Sequence, residues 1–179
     1  MSRPVEVRPA GAGDAAALAA LGARLFGETF GAANRPEDLA AYLTSAFGER
    51  RQAAEMADPS NRLWVAEAPD AGAVGYAHLR LGPAPGGVAG GRPAELARLY
   101  VDQRWHGAGV ARALMDRCVD AARAWGADVL WLGVWEHNPR AIAFYRKCGF
   151  EQVGTQRFQL GEDLQTDLVM ARAIAADHR

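Results

Sequence analysis

The sequence has little cysteine, almost no lysine and no long apolar run. Its 179 residues include two cysteines, Cys118 and Cys148, which argues against a disulfide framework or a cysteine-based metal cluster. No apolar stretch approaches the roughly 18 residues of a membrane-spanning helix, and the N-terminal MSRPVEVRPA lacks the apolar core of a secretion signal. We therefore expect a cytoplasmic protein with no metal site and no membrane partner.

Neither sign of charge is in large excess. The 20 basic and 21 acidic residues give a formal net charge of −1 at pH 7, and Lys147 is the only lysine. Proteins whose main partner is nucleic acid or an acidic membrane usually carry a clear basic excess, so we expect neither partner. Hydrophobic residues make up 50% of the chain, as a globular fold with a packed core requires.

Hydrophobic periodicity and turn residues predict strands and helices in the order β-α-α-β-β-β-α-β-α-β-β. The near-continuous apolar strand at 128–135 is typical of burial on both faces of a sheet. The chain shows neither an internal repeat nor a linker. Residues 1–179 are therefore predicted to form a single α+β domain.

The stretch QRWHGAGVARALM, residues 103–115, places Gly107 and Gly109 between a predicted strand and a predicted helix. A dinucleotide fingerprint would need a third glycine where Arg112 stands, and the Gly-Lys-Ser/Thr of a nucleoside-triphosphate loop is absent. A tight turn that opens a helix still presents unpaired N–H groups and the positive end of the helix dipole. The turn is thus a candidate phosphate or pyrophosphate site, and the competing interpretation is a simple connection between strand and helix.

Two motifs resemble those of the GNAT superfamily of acetyl-CoA-dependent N-acetyltransferases. The first is R-x-x-G-x-G after LARLYV, which is similar to the pyrophosphate-binding motif of that superfamily. The second is N-x-x-A-x-x-F-Y-x-K-x-G-F, filled by Asn138, Ala141, Phe144, Tyr145, Lys147, Gly149 and Phe150. The stretches VGYAHLRLG and FQLGEDLQTDLVMA further resemble the PaiA-type branch, which includes polyamine N-acetyltransferases.

The resemblance implies a mixed, mostly antiparallel sheet of about seven strands flanked by helices, with the fourth and fifth strands splayed apart. Acetyl-CoA would lie in this gap as co-substrate, its pantetheine arm paired with the main chain of Leu99 and Val101. One of those N–H groups would face the thioester oxygen, a contribution typically worth roughly 3–4 kcal/mol of barrier. The residues that the resemblance assigns to acetyl-CoA are Leu99, Val101, Arg104, Gly107, Ala108, Gly109, Val110, Ala111, Asn138, Tyr145 and Lys147.

The resemblance also implies the catalytic chemistry. Tyr145 stands where the superfamily places a phenol near the sulfur and is expected to protonate the departing thiolate; a buried structural tyrosine is the alternative. A base must take a proton from the acceptor amine. Glu95, Glu136 and Glu28 are candidates for this base. We select Glu95 as the base and Glu28 and Glu136 as substrate-binding residues, although each is also explained as a solvated surface carboxylate.

The implied function is transfer of an acetyl group from acetyl-CoA to a primary amine by direct attack in a ternary complex. The PaiA-like stretches favour a polyamine such as spermidine or spermine as the acceptor. Acetylation of a protein N-terminus or a lysine side chain is the alternative within enzymes. An acyl-CoA-binding regulator without turnover is the alternative from another class. The sequence allows a homodimer and does not decide the oligomeric state.

Overall fold

A computed structural model describes residues 4–175. The strands are β1 (Glu6–Pro9), β2 (Asn61–Ala68), β3 (Gly72–Leu81), β4 (Pro93–Val101), β5 (Val129–Trp135), β6 (Glu151–Leu160) and β7 (Asp163–Ala173). The helices are α1 (Ala15–Phe30), α2 (Pro36–Ala46), α3 (Glu49–Ala57), α4 (Val110–Ala124) and α5 (Pro139–Lys147). Compared with the predicted order, the structure adds α3 as a separate helix, because extended backbone at Gly48 interrupts the segment after α2.

The strands form one seven-stranded sheet in the order β1-β2-β3-β4-β5-β7-β6. Neighbouring strands are antiparallel except β4 and β5, which run parallel. A parallel pair needs a long crossover connection, and α4 lies within it. This is the mixed, mostly antiparallel α+β architecture that the sequence predicts, so the predicted fold class is confirmed.

The two central strands, β4 and β5, separate soon after they begin. Their described ladder joins Pro93, Ala94 and Glu95 to Val129, Leu130 and Trp131. Beyond it, β4 stays paired with β3 as far as Val101, and β5 stays paired with β7 as far as Trp135. Ala97 forms a β-bulge opposite β3 just past the last shared pair, and a bulge bends the strand that carries it. The predicted splay is therefore present, and the bulge accounts for it locally.

Helices cover both faces of the sheet. Alternate residues of β2 show this, because successive side chains of a strand point to opposite faces. Trp64 and Ala66 pack in the same core cluster as α4, whereas Leu63 and Val65 pack in the cluster that contains the apolar stripe of α1. The gap between β4 and β5 therefore opens between two helical layers.

The described helices give no membrane-spanning segment. Between residues 4 and 175, none of them combines the length and the apolar character that crossing a bilayer requires. The cytoplasmic location expected from the sequence is a separate question and stays a prediction.

The close approach of α1 to the sheet at Gly22 can be tested by stability. A Cβ at Gly22 would lie 2.5 Å from the Tyr76 hydroxyl oxygen and 2.6 Å from Phe47 Cδ1. We expect Gly22→Ala to lower the free energy of unfolding by about 1–3 kcal/mol, because packed neighbours must shift. Gly27→Ala in the same helix is the matched control: a Cβ there meets nothing within 4 Å. It should raise stability by about 0.5–1 kcal/mol. Urea denaturation measures both, and equal effects would contradict the expectation.

Candidate active site

A cavity of about 680 Å³ follows the gap between β4 and β5. Its walls include residues of α1, α2, β6 and β7 on one side and of α5 and the turn before α4 on the other. The diverging strands contribute the segments 96–101 and 133–135. Because the lining comes from both helical layers, two ligands can enter from opposite faces and meet in the gap.

The main chain of β4 presents hydrogen-bonding groups to this gap. The Asp102 N–H donates to the Val74 carbonyl of β3 at 2.9 Å. Alternation along the strand turns the N–H groups of Leu99 and Val101 the other way, toward β5. Within residues 4–175 they have no strand partner there, because β5 has already diverged. The Val101 carbonyl accepts a hydrogen bond from His106 Nε2 at 2.9 Å. The Val101 N–H is therefore the main-chain group of this residue that is left for a ligand.

The turn before α4 opens the helix with unpaired donors. Gly107 and Gly109 both have a φ of +81°, in the left-handed region that favours glycine. The Ala113 N–H bonds the Gly109 carbonyl, so the N–H groups before it have no acceptor inside the helix. Among the described residues, the turn donors without a backbone partner are those of Gly107, Gly109, Val110, Ala111 and Arg112. This is a cradle suited to an anion, as the sequence predicts.

Asp102 fixes the turn to the rest of the molecule. Its side chain is only 3% exposed. The carboxylate accepts from the Arg104 N–H at 3.0 Å, from Arg104 Nη2 at 2.7 Å and from Arg24 Nη2 at 2.9 Å. The Arg104 side chain holds the pKa of Asp102 well below its usual range, although burial acts in the opposite direction. Asp102 is therefore an anchor between α1 and the turn.

Helix α5 brings two predicted residues to the cavity. Asn138 caps the helix, because its Oδ1 accepts from the Ala141 N–H at 3.3 Å. Tyr145 lines the same cavity and packs edge-on against Phe144 and Phe150. Burial raises the pKa of Tyr145, so its phenol is protonated at neutral pH and can donate a proton.

Three residues that the resemblance assigns to acetyl-CoA lie outside the cavity lining. Arg104 and Ala108 belong to the turn, but the Arg104 side chain is committed to Asp102. Lys147 is exposed at the C-terminal end of α5, the opposite end from Asn138. The remaining residues of that set line the cavity.

The structure separates the three predicted glutamates. Glu95 lies in the last pair of the β4–β5 ladder and accepts from Arg80 Nε at 2.5 Å, so its position does not support a role as base. Glu136 is exposed just past β5 and outside the lining. Glu28 does line the cavity, but Arg24 Nη1 lies 3.1 Å from its carboxylate.

Asp167 is the acidic cavity residue that the sequence analysis missed. It lies on β7 opposite Trp135 of β5 and lines the cavity, with no basic partner within residues 4–175. Burial raises the pKa of Asp167 to about 6, and the charge of Glu136 adds to the effect. A carboxylate with such a pKa in a cleft is suited to proton transfer. The available signal was an aspartate inside the strand QTDLVMA, since strands are depleted in aspartate.

The described cavity lining holds three arginines that the sequence analysis missed, and one of them, Arg98 of β4, is paired with Glu55. Arg112 and Arg140 line the cavity in the first turns of α4 and α5. Helix N-termini favour anions, and arginines there add positive charge and hydrogen-bond donors. Arg112 thus excludes a dinucleotide fingerprint and yet suits another kind of phosphate site.

The cysteines offer no activated nucleophile. Cys118 and Cys148 are both buried, and burial raises the pKa of each thiol. A thiol with a raised pKa is mostly protonated at neutral pH and therefore a weak nucleophile. Within residues 4–175, no group of three or more His, Cys, Asp or Glu side chains is arranged to hold a metal ion.

Comparison with known proteins places this chain among acetyltransferases. The model of the acetyltransferase (GNAT) family matches residues 27–150. An uncharacterised N-acetyltransferase of Mycobacterium tuberculosis is 38% identical over 161 residues, which cover 90% of this chain and 98% of that protein. Sequence similarity thus extends over nearly the whole of both chains.

Solved structures show the same fold at lower identity. The PaiA N-acetyltransferase from Thermoplasma acidophilum, in complex with coenzyme A, has a TM-score of 0.76 at 18% identity and covers 96% of this chain and 99% of its own. The ribosomal-protein-S18-alanine N-acetyltransferase from Escherichia coli has a TM-score of 0.68 at 19% identity and covers 98% and 99%. These likenesses support the fold and do not distinguish between acceptors. At such low identity they give only weak support for membership of the PaiA branch.

The raised pKa of Asp167 can be measured directly. We expect its carboxyl carbon to titrate near pH 6 in NMR spectra. Glu136→Gln should lower the midpoint and leave most of the shift, because burial is the larger cause and the Glu136 charge the smaller. Glu151→Gln is the matched control, since it removes an exposed carboxylate on β6 and should leave the midpoint unchanged. A wild-type midpoint of about 4, as in model peptides, would contradict the prediction.

Proposed function

The chain belongs to the acetyltransferase (GNAT) family, and from this premise we propose that it acetylates a small primary amine by direct attack on acetyl-CoA in a ternary complex. The observation that carries the proposal is the gap between β4 and β5. There the main-chain donors of Leu99 and Val101 share one cavity with Tyr145 and Asp167. Acyl transfer to an amine needs a donor for the developing oxyanion, an acid and a base.

Acetyl-CoA fits the side of the cavity formed by α4 and α5. Its pyrophosphate would bind the unpaired N–H groups at the start of α4, where Arg140 adds positive charge. Arg112 adds hydrogen-bond donors there, although its Nε also donates to Asp116 Oδ1 at 3.0 Å. The pantetheine amides would pair with the main chain of Leu99 and Val101 and approach Asn138. Arg104, Ala108 and Lys147 have no direct part in this proposal.

The chemistry requires proton transfers at both ends of the reaction. The Asp167 carboxylate takes a proton from the acceptor ammonium, directly or through water. The neutral nitrogen then forms the C–N bond at the thioester carbonyl carbon, while the N–H of Leu99 or Val101 stabilises charge on the carbonyl oxygen. Such a donor is typically worth roughly 3–4 kcal/mol of barrier.

Tyr145 completes the reaction at the leaving group. As the C–S bond breaks, its phenol donates a proton to the sulfur. After attack, the nitrogen loses its second proton to solvent. Solvent then returns a proton to the Tyr145 phenolate. The products are the amide, the free thiol and one proton, and Asp167 returns to the carboxylate when that proton leaves.

Contacts at the acceptor end favour a small molecule over a protein. The Glu162 N–H in the β6–β7 turn donates to Asp38 Oδ1 at 3.0 Å, and Arg35 Nη2 lies 2.9 Å from the Glu162 carboxylate. Tyr42 of α2 and Phe158 of β6 contact each other beside the cavity, with ring centroids 5.3 Å apart. A protein N-terminus or lysine substrate needs an open groove for the flanking polypeptide, and these contacts narrow it.

A polyamine acceptor and an acyl-CoA-binding regulator are two further hypotheses for this site. A polycation needs a carboxylate for its distal ammonium besides the one that acts as base. Glu28 is the other cavity carboxylate of the described residues, and Arg24 already neutralises it in part. A steady-state assay of thiol release, run across a panel of amines, separates these functions, since a regulator would release no thiol with any amine.

Acetyl-CoA affinity tests the turn before α4. Gly109→Glu places a carboxylate among its unpaired N–H groups, and Gly109→Gln imposes the same strain at φ +81° and a similar volume without the charge. We expect the glutamate variant to bind acetyl-CoA roughly tenfold or more weakly than the glutamine variant, because like charges approach closely. Calorimetry on the folded variants measures the difference, and equal affinities would rule out phosphate binding here.

The pH dependence of turnover tests the base. Asp167 accepts a proton only when ionised, so its contribution is absent well below pH 6 and complete above it. We expect the ratio of wild-type to Asp167→Asn kcat/KM to rise up to about pH 6 and then stay constant; acceptor ionisation cancels in this ratio. The charge of Glu136 raises the pKa of Asp167, so Glu136→Gln should move the inflection to lower pH. The Asp167 charge also acts on Tyr42, whose pKa it raises. Tyr145→Phe is the comparison, with kcat lower by about 10²–10⁴-fold and the inflection retained. A flat ratio would exclude Asp167 as the base.

A further inference from the structure

An aromatic wall lines the acceptor side of the cavity. It consists of Phe26, Phe30, Tyr42, Trp135 and Phe158. Ring centroids lie 4.3 Å apart for Phe26 and Phe30 and 4.7 Å apart for Phe26 and Tyr42. They lie 5.2 Å apart for Phe30 and Trp135. Because the rings come from α1, α2, β5 and β6, the wall is assembled by the tertiary fold and is not the buried stripe of one helix.

Most of the aromatic wall keeps some exposed surface. Phe26 is only 3% exposed, so it lies beneath the other rings of the wall. The partly buried members are Phe30, Tyr42, Trp135 and Phe158. When a ligand covers aromatic rings that face a cavity, the free energy of binding becomes more favourable, since apolar area leaves water. The wall therefore favours a ligand with an apolar body, and an aromatic body can add ring–ring contacts.

A single unneutralised carboxylate lies next to the wall. Asp167 is the register partner of Trp135 across β5 and β7 and has no basic partner within residues 4–175. Glu28, the other carboxylate of the described lining, is bound by Arg24 and is 40% exposed. One carboxylate beside aromatic faces matches one cationic nitrogen attached to an apolar group.

We propose that the acceptor is a primary monoamine with an aromatic body, whose amino group lies at Asp167 while the body covers the aromatic wall. This inference rests on the proposed acetyl transfer and adds the class of acceptor to it. A polyamine fits the site less well. Its further ammonium groups would have to lose water against the wall, where the described lining offers no second carboxylate free of an arginine.

The first test is an acceptor comparison by thiol release at saturating acetyl-CoA. The acceptors are 2-phenylethylamine, ethylamine, 1,4-diaminobutane and spermidine. We expect kcat/KM for 2-phenylethylamine to exceed the values for the other three by about tenfold or more. Higher values for 1,4-diaminobutane or spermidine would overturn the acceptor class and leave acetyl transfer standing. Absence of thiol release with every amine would overturn the acetyl transfer itself.

The second test removes one ring of the wall. Phe158→Ala should lower the ratio of kcat/KM for 2-phenylethylamine to that for ethylamine by about tenfold, because the longer amine alone reaches the ring. The ratio is the readout, since a folding defect lowers both values together. Thr155→Ala, at an exposed position of the same strand, is the matched control and should keep the wild-type ratio. An unchanged ratio in Phe158→Ala would overturn the placement of the aromatic body.

Discussion

The early end of the β4–β5 ladder is the constraint on which the candidate site depends. If the two strands stayed paired, β5 would take up the N–H groups of Leu99 and Val101 and no cavity would cross the sheet. The sheet tolerates the gap because β3 holds β4 along its outer edge and β7 holds β5. The bulge at Ala97 begins the divergence just past Glu95. Main-chain donors that usually stabilise a sheet are thereby left available to a ligand.

The acidic residues around the gap acquire different roles from their surroundings. Asp102 is bonded by two arginines, stays ionised and holds the turn against α1. Glu95 is similarly bound by Arg80 at the closed end of the gap. Asp167 is also partly buried, and its pKa is raised by that burial and by the charge of Glu136. An aspartate or glutamate in the sequence therefore says little about its role until its partners are known.

Local features of the site could be predicted from the sequence. Gly107 and Gly109 adopt positive φ before α4, and Asn138 caps α5. Tyr145 lines the cavity as its motif position implies. These features depend on neighbours within a few residues, so the sequence around them carries the necessary information. The mixed sheet and the splay between its fourth and fifth strands were predicted from resemblance to a family, and the order of the strands in the sheet was not predicted, because hydrophobic periodicity alone does not specify which strands pair.

What the sequence determined by itself was the seven strands, four of the five described α-helices, the glycine turn and the helix cap, all of which arise from short-range interactions. The tertiary structure decided that Glu95 lies outside the cavity and Asp167 inside it, and it gathered the aromatic wall from four separate elements. The physical reason is strand register. Successive side chains alternate between faces, so a shift of one residue in pairing would exchange the residues that face the gap for those that face away.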